Sequence, residues 1–167
     1  IMVSNGGKQV IFNAFMATLN AGDEVVVPTP YWVSYPLIAR MFGGTPVYVS
    51  CREEDGFRVK ADELAKVLTP RTRWVVLNFP NNPTGGVCSA EDLRAIAEVL
   101  RQYPDIWILS DEIYEHLVFD GAKSASIAAV APDLKDRTIT LNGVSKAYAM
   151  TGWRVGFAGG PADLIST

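Results

Sequence analysis

Seven short apolar segments rich in β-branched residues constrain the fold of this chain more than any other feature. They are IMVS at Ile1, EVVVP at Glu24, PVYVS at Pro46, RWVVLNF at Arg73, IWILS at Ile106, RTITLN at Arg137 and RVGFAG at Arg154. Several are apolar at nearly every position, which is typical of strands that are buried on both faces of a mostly parallel sheet. Because parallel strands require crossover connections, the pattern predicts an α/β fold with helices on both faces of the sheet.

Helical periodicity in the intervening sequence supports this fold. Ile11, Phe15 and Leu19 lie four residues apart, and their pattern stops before an AGDE turn. A second helix is predicted after Ser89, which is a good N-cap and is followed by an acidic first turn. Helices are also predicted over 35–41 and 61–68.

The link between the sixth and seventh apolar segments is short and rich in turn residues. A crossover helix does not fit there, so we expect the seventh strand to run antiparallel to its neighbours. No internal repeat or linker divides the chain. The prediction is therefore one domain over 1–167: a three-layer α/β/α architecture around a mostly parallel seven-stranded sheet with one antiparallel strand.

Composition excludes several classes of function. The formal net charge is −3, so the chain offers no basic field for nucleic acid. No apolar run is long enough for a membrane span, and the first ten residues lack the layout of a signal peptide. Cys51 and Cys88 form no CxxC motif, and His116 is the single histidine, so no zinc site is expected. These features predict a cytoplasmic, metal-free protein without nucleic-acid or membrane partners.

Residues with chemical potential follow several of the predicted strands. In an open α/β sheet, ligands bind outside the carboxyl ends of the strands. Gly6-Gly7-Lys8 joins a strand to a helix start, where free N–H groups can bind an anion, although a plain tight turn explains the glycines equally well. Asn78 to Gly86 forms either a rigid loop or a source of amide donors.

The later strand ends carry charged and aromatic candidates. Asp111 is either a ligand-pairing carboxylate or the N-cap of a helix, and Tyr114 would share its face if the segment is helical. Lys146 is either a solvated surface group or a nucleophile toward carbonyls. Arg154 can grip a phosphate, and Trp32 can stack on a planar ring or pack in the core.

Three motifs in this order resemble one family. They are NPTG at Asn82, SDEIY at Ser110 and SKAYAMTGWR at Ser145. Together they are similar to the class I, fold-type I aminotransferases that use pyridoxal 5'-phosphate. The GGKQ, PYWVSYP and NGVSKAYAMTGWRVG segments most resemble the aspartate and aspartate/prephenate aminotransferases.

The resemblance implies catalytic roles for Lys146, Asp111 and Tyr114 and a cofactor-binding role for Asn82. Lys146 would form a Schiff base with the cofactor and shuttle a proton. Asp111 would pair with the pyridine nitrogen, and Tyr114 and Asn82 would hydrogen-bond the ring's phenolic oxygen.

The resemblance also implies how the cofactor is held. Trp32 would stack on the ring and, with Asn82, contact substrate. Gly6, Gly7 and Lys8 would hold the phosphate through their backbone, together with Arg154. Many relatives carry a serine where this chain has Gly143, and we expect Ser145 to contribute to the phosphate site instead. The family's cis bonds are expected at Thr29-Pro30 and Asn82-Pro83.

The implied function is ping-pong transamination between an amino acid and a 2-oxo acid, most simply aspartate and 2-oxoglutarate, in a homodimer. Family members are about twice as long or more, with an amino-terminal arm and a carboxyl-terminal small domain. The chain would then be a fragment containing the large cofactor-binding domain, inactive on its own. The alternatives are another pyridoxal-phosphate enzyme such as a lyase, or a non-catalytic ligand-binding module of a transcription regulator.

Overall fold

The computed structural model describes residues 1–167, whose strands form one seven-stranded sheet in the order β1-β7-β6-β5-β4-β2-β3. Strand β7 pairs antiparallel with both β1 and β6, and all other pairings are parallel. The seven predicted strands and the reversed direction of the last one are confirmed. The strands are β1 (Met2–Asn5), β2 (Glu24–Thr29), β3 (Thr45–Ser50), β4 (Thr72–Asn78), β5 (Trp107–Asp111), β6 (Thr138–Gly143) and β7 (Val155–Gly159).

The predicted helices are also present. At the start of the fourth helix, Ser89 Oγ accepts from the Asp92 N–H at 3.1 Å, and Asp92 Oδ2 accepts from the Ser89 N–H at 2.9 Å. This reciprocal capping satisfies two N–H groups that the helix itself leaves free. The helices are α1 (Gly7–Thr18), α2 (Ser34–Met41), α3 (Ala61–Val67), α4 (Ala90–Arg101), α5 (Ile127–Val130), α6 (Val144–Ala147) and α7 (Ala162–Ile165).

Two apolar clusters, one on each face of the sheet, confirm the three-layer arrangement. Neighbouring residues of β2 alternate between them: Val25 packs with helices α1 and α2, whereas Val26 packs with α3, α4 and α5. Phe15 of α1 and Ile96 of α4 are both completely buried. Each such side chain contributes about 1.5–3 kcal/mol by leaving water, so both helical layers hold the sheet in place.

The segment after Asp111 is not a helix. Its backbone bonds join the Glu115 N–H to the Glu112 carbonyl at 2.9 Å and the Leu117 N–H to the Tyr114 carbonyl at 2.8 Å. Because each bond spans only three residues, 112–117 forms a run of turns. Asp111 Oδ1 accepts from the Ile113 N–H at 3.2 Å, as in an Asx turn. Asp111 is therefore not the N-cap of a helix.

Other features of the backbone concern prolines and helix length. The Thr29-Pro30 and Asn82-Pro83 bonds are cis, as predicted, and so is Phe79-Pro80, which was not predicted. The two longest helices, α1 and α4, have 12 residues each. No helix has the length and apolar character that crossing a membrane requires.

Candidate active site

A cavity of about 110 Å³ lies at the carboxyl edge of the sheet, where the loops after β1, β2, β4, β5 and β6 meet. Its lining includes seven of the site residues predicted from sequence. These are Gly7, Lys8, Trp32, Asn82, Asp111, Tyr114 and Lys146. Apolar side chains of Ile11, Ile113 and Leu141 complete the walls. Segments that are far apart in sequence therefore build one site, as expected at this edge of an α/β sheet.

Asp111 is the only acidic residue in the cavity lining, and 4% of its surface is exposed. Its Oδ2 accepts from the Tyr35 hydroxyl at 2.6 Å, and Oδ1 accepts from the Ile113 N–H. No cationic side chain forms a salt bridge with it. Burial raises the pKa of this carboxyl to about 6, although the hydrogen bonds from Tyr35 and Ile113 lower it. A buried carboxylate without a cation is costly, so the site is built to receive a cationic or N–H partner.

Tyr35 is a site residue that the sequence analysis missed. It lies on α2, three residues after Trp32, and its ring meets the Trp32 ring edge-on with 5.4 Å between centroids. Burial, followed by the charge of Asp111, raises the pKa of Tyr35 well above its usual range. The phenol therefore keeps its proton and donates to the carboxylate. A buried tyrosine needs a hydrogen-bond partner, but no local pattern identifies one that lies 76 residues away.

Asn78 joins two of the strand ends. Its Nδ2 donates to the Asp111 carbonyl at 3.1 Å, and its Oδ1 accepts from the Asn82 N–H at 2.9 Å. Both bonds use the Asn78 side chain, whereas the Asn82 side chain makes no hydrogen bond within the chain. The predicted loop is therefore rigid at Asn78, and the Asn82 amide is free to meet a ligand.

Lys146 lies on α6, directly after β6, with its Nζ 5.8 Å from the centroid of the Tyr114 ring. The residue is exposed and also lines the cavity. Its amine forms neither a hydrogen bond nor a salt bridge. The two interpretations of this lysine are therefore compatible: solvent reaches it in this chain, and its amine is free to react at the cavity.

A second cation stands at the cavity. Lys8 Nζ lies 5.0 Å from the centroid of the Trp32 ring, within the range of a cation–π interaction. The family resemblance implied only a backbone contact from Lys8. The structure adds its ammonium, which lines the cavity together with that of Lys146.

Gly6 and Arg154 meet at the edge of the cavity. Gly6 has φ 78°, and a Cβ there would overlap the Arg154 guanidinium, so only glycine allows this approach. The Arg154 Nη1 donates to the Thr151 carbonyl at 2.9 Å, and no side chain caps the first N–H groups of helix α1. The Arg154 guanidinium and the N-terminus of α1 therefore lie side by side, and both offer hydrogen-bond donors to an anion. We call this pair the Gly6–Arg154 corner.

Of the residues predicted to hold the phosphate, Gly7 and Lys8 line the cavity, whereas Gly6, Arg154 and Ser145 do not. Ser145 is buried and is absent from the cavity lining. A Cβ on Gly143 would lie 3.0 Å from the Val155 carbonyl oxygen, which is closer than ordinary packing allows. The neighbouring strand β7 therefore restricts what can replace this glycine.

Pyridoxal 5'-phosphate fits these residues. The Asp111 carboxylate, buried without a cation, complements a protonated ring nitrogen. Ile113 and Leu141 offer apolar walls to the ring, and the Gly6–Arg154 corner offers donors to the phosphate.

Comparisons with known proteins agree with this geometry. The family model described as aminotransferase class I and II matches residues 1–167. A probable aspartate/prephenate aminotransferase of Rickettsia bellii is 54% identical over 99% of this chain. The crystal structure of the aspartate aminotransferase from Rhizobium meliloti has a TM-score of 0.96 at 53% identity, again over 99% of the chain. The aspartate aminotransferase of Thermus thermophilus with maleate has a TM-score of 0.93 at 47% identity over the same share.

The chain covers less than half of the length of each of these relatives. The chain spans 41% of the Rickettsia protein, 41% of the Rhizobium structure and 42% of the Thermus structure. It is nevertheless matched by the family model along its entire length. The cavity, with its buried carboxylate and free lysine, agrees with this match. The chain belongs to the class I and II aminotransferases.

Proposed function

We propose that the protein carrying this chain transfers an amino group between an amino acid and a 2-oxo acid with pyridoxal 5'-phosphate as cofactor. The observation that carries the proposal is that one cavity is lined by both Asp111, which is buried without a cation, and Lys146, whose amine has no partner in the chain. If the two charges served only to stabilise the fold, each would contact an opposite charge within the chain. Here both groups are left available to a ligand.

Five residues would hold the ring of the cofactor. Asp111 would accept from the ring nitrogen, and Tyr35 would fix the orientation of its carboxylate from the opposite side. Trp32 would lie against the ring. Tyr114 and Asn82 would donate to its phenolic oxygen. Bound in this way, pyridoxal phosphate supplies a carbonyl carbon for amines and a ring that withdraws electrons from the substrate.

Backbone groups of Gly6, Gly7 and Lys8 and the Arg154 guanidinium would hold the phosphate, and Ser145 remains a further candidate ligand. Lys146 has two tasks in the proposal. Its Nζ would be the point at which the cofactor is attached, with loss of water, and, once the amino group of the substrate has displaced it, the free amine would move the proton taken from the substrate Cα. Asp111 would keep the ring nitrogen protonated.

The amino-acid substrate is proposed to be aspartate, with 2-oxoglutarate as acceptor. Both are dicarboxylates, and the Lys8 ammonium beside Trp32 supplies a positive charge at the cavity in addition to Lys146. The Thermus relative is described with maleate, which is also a dicarboxylate. Prephenate is a second possible acceptor, because the Rickettsia relative is named for both aspartate and prephenate.

We infer that residues 1–167 are the large, cofactor-binding domain of a cytoplasmic homodimer. The open position of Lys146 supports this, because the chain by itself does not shield the amine from water. Further protein, from the same subunit or a partner, would close the site.

The test uses the longest reading frame that contains this chain. The purified protein is incubated with pyridoxal phosphate, reduced with borohydride and digested, and the modified peptide is identified by mass spectrometry. The label should lie on Lys146 and be lost in Lys146→Ala, whereas Lys135→Ala, which removes an exposed lysine remote from the cavity, should retain it. A label on another lysine would contradict the proposal.

A second measurement separates the alternatives. A transaminase forms more than one equivalent of oxaloacetate per bound cofactor from aspartate only when 2-oxoglutarate is present. A lyase would consume aspartate without the acceptor, and a ligand-binding module would consume none.

A further inference from the structure

Two loops carry the reactive residues, and one side-chain hydrogen bond joins them. Tyr114 lies in the turns after β5, and Lys146 lies in the short helix after β6. Between these loops, Asn142 Nδ2 donates to Glu115 Oε1 at 2.6 Å. No other side-chain hydrogen bond connects the turns at 113–117 with residues 142–150.

Each end of this hydrogen bond lies close in sequence to one of the two reactive residues. Glu115 directly follows Tyr114 and its N–H donates to the Glu112 carbonyl at 2.9 Å. Asn142 is 9% exposed, and its Oδ1 accepts from the Gly143 N–H at 2.7 Å, immediately before α6 begins. The hydrogen bond therefore joins the residue next to Tyr114 to the end of the strand that leads into α6 and Lys146.

His116 extends the same connection. Its Nε2 lies 3.3 Å from Glu115 Oε1, and its ring faces the Tyr148 ring edge-on, with 6.5 Å between centroids. The Tyr148 N–H bonds to the Val144 carbonyl in the turn that carries Lys146. The imidazole therefore touches both loops on the solvent side, while Asn142 joins them from the buried side.

We propose that Glu115 is a positioning residue for the amino-transfer reaction. Its hydrogen bond from Asn142 sets the placement of the Tyr114 phenol relative to the Lys146 amine. It touches neither substrate nor cofactor. This inference rests on the proposed function, since it assigns Tyr114 and Lys146 to the same reaction.

The proposal predicts a specific pattern among variants. Glu115→Gln keeps an amide oxygen that can accept from Asn142, whereas Glu115→Ala removes the acceptor. A hydrogen bond to a carboxylate is among the stronger ones in proteins. We therefore expect Glu115→Ala to lower kcat about tenfold, with less than a twofold change in KM, and Glu115→Gln to restore most of the loss.

The experiment uses the longest reading frame that contains this chain, loaded with pyridoxal phosphate. The second readout is the absorbance of the bound cofactor followed through a pH titration, which senses the surroundings of the Lys146 nitrogen without turnover. Its midpoint should shift by about half a pH unit or more in Glu115→Ala and return in Glu115→Gln. Glu98→Ala removes an exposed carboxylate that pairs only with Arg101, and it should change neither readout.

Coupling to Asn142 is tested with a double-mutant cycle. Asn142→Ala should impair kcat as Glu115→Ala does, and the double variant should lose little more than either single variant. Additive losses, an unchanged midpoint in Glu115→Ala, or equal impairment in Glu115→Gln would overturn the proposal. Absence of cofactor on Lys146 in the wild-type protein would instead contradict the proposed function and this inference with it.

Discussion

Replacing Asp111 by asparagine should stabilise the protein when no pyridoxal phosphate is bound. The carboxyl is 4% exposed, and burial raises its pKa from 3.8 to about 6. That difference of about 2 pKa units corresponds to about 3 kcal/mol at 1.36 kcal/mol per unit. Asparagine keeps one oxygen, which can accept from the Ile113 N–H, while its NH2 group replaces the oxygen that accepts from Tyr35, and we expect the change in these two bonds to cost about 1 kcal/mol. The net gain should be about 2 kcal/mol at pH 7.5.

The effect should depend on pH with a defined sign. Because the pKa of Asp111 is higher in the folded state, the folded protein binds more protons between about pH 4 and 6. Its stability therefore falls as the pH rises through this range, and the full penalty remains above it. The advantage of Asp111→Asn should be largest above pH 6 and should disappear near pH 3.8.

Urea unfolding followed by circular dichroism at pH 7.5, 5 and 4 tests this prediction. Asp163→Asn removes an exposed carboxylate and serves as the matched control, which should change stability little. A variant at Asp111 that is no more stable than wild type at pH 7.5, or whose gain persists at pH 4, would refute the reasoning. Because the proposed role of the carboxylate is to keep the pyridine nitrogen protonated, the same variant should lose transamination far more than cofactor affinity.

Three further predictions follow from the site. Tyr35→Phe removes a hydrogen bond that lowers the pKa of Asp111, so the acid limb of the pH profile of kcat should move to higher pH; an unchanged profile would contradict this. Gly6→Ala should weaken pyridoxal phosphate binding about tenfold or more, measured by fluorescence titration, because its Cβ displaces Arg154. Gly121→Ala, also at positive φ but with open space around it, is the control, and an equal loss there would argue against the steric reason. The 167-residue chain alone, given pyridoxal phosphate, aspartate and 2-oxoglutarate, should form no oxaloacetate above background, because solvent reaches Lys146. Turnover comparable to that of the longest reading frame would contradict it.

The sheet and its helices could be predicted from sequence because their signals are local. Apolar runs identify the strands, and the Ser89 cap identifies a helix start within four residues. The short link before β7 also predicted its direction. The segment after Asp111 was harder, since its residues suit a helix but its bonds in the structure are those of turns.

Most of the cavity could be predicted for a different reason. Residues that follow the carboxyl ends of parallel strands lie at the same edge of the sheet whatever their separation in sequence. Asp111 and Lys146 could therefore be predicted to share one site. The hydroxyl of Tyr35 could not be assigned to Asp111, because the partner of a buried phenol depends on how α2 packs on the sheet. The ammonium of Lys8 was missed because the rotamer of an exposed lysine has no sequence signal.

The place of β1 in the sheet has a consequence for how the chain folds. Its only partner is β7, in which Met2 pairs with Ala158 and Asn5 with Val155. During synthesis on the ribosome, β1 therefore cannot pair until β7, at Val155–Gly159, has also emerged. Contacts between such distant segments slow folding, and the waiting strand has unpaired edges that invite aggregation. The corner formed by Gly6 and Arg154, which adjoins these two strands, should be among the last parts of the molecule to form.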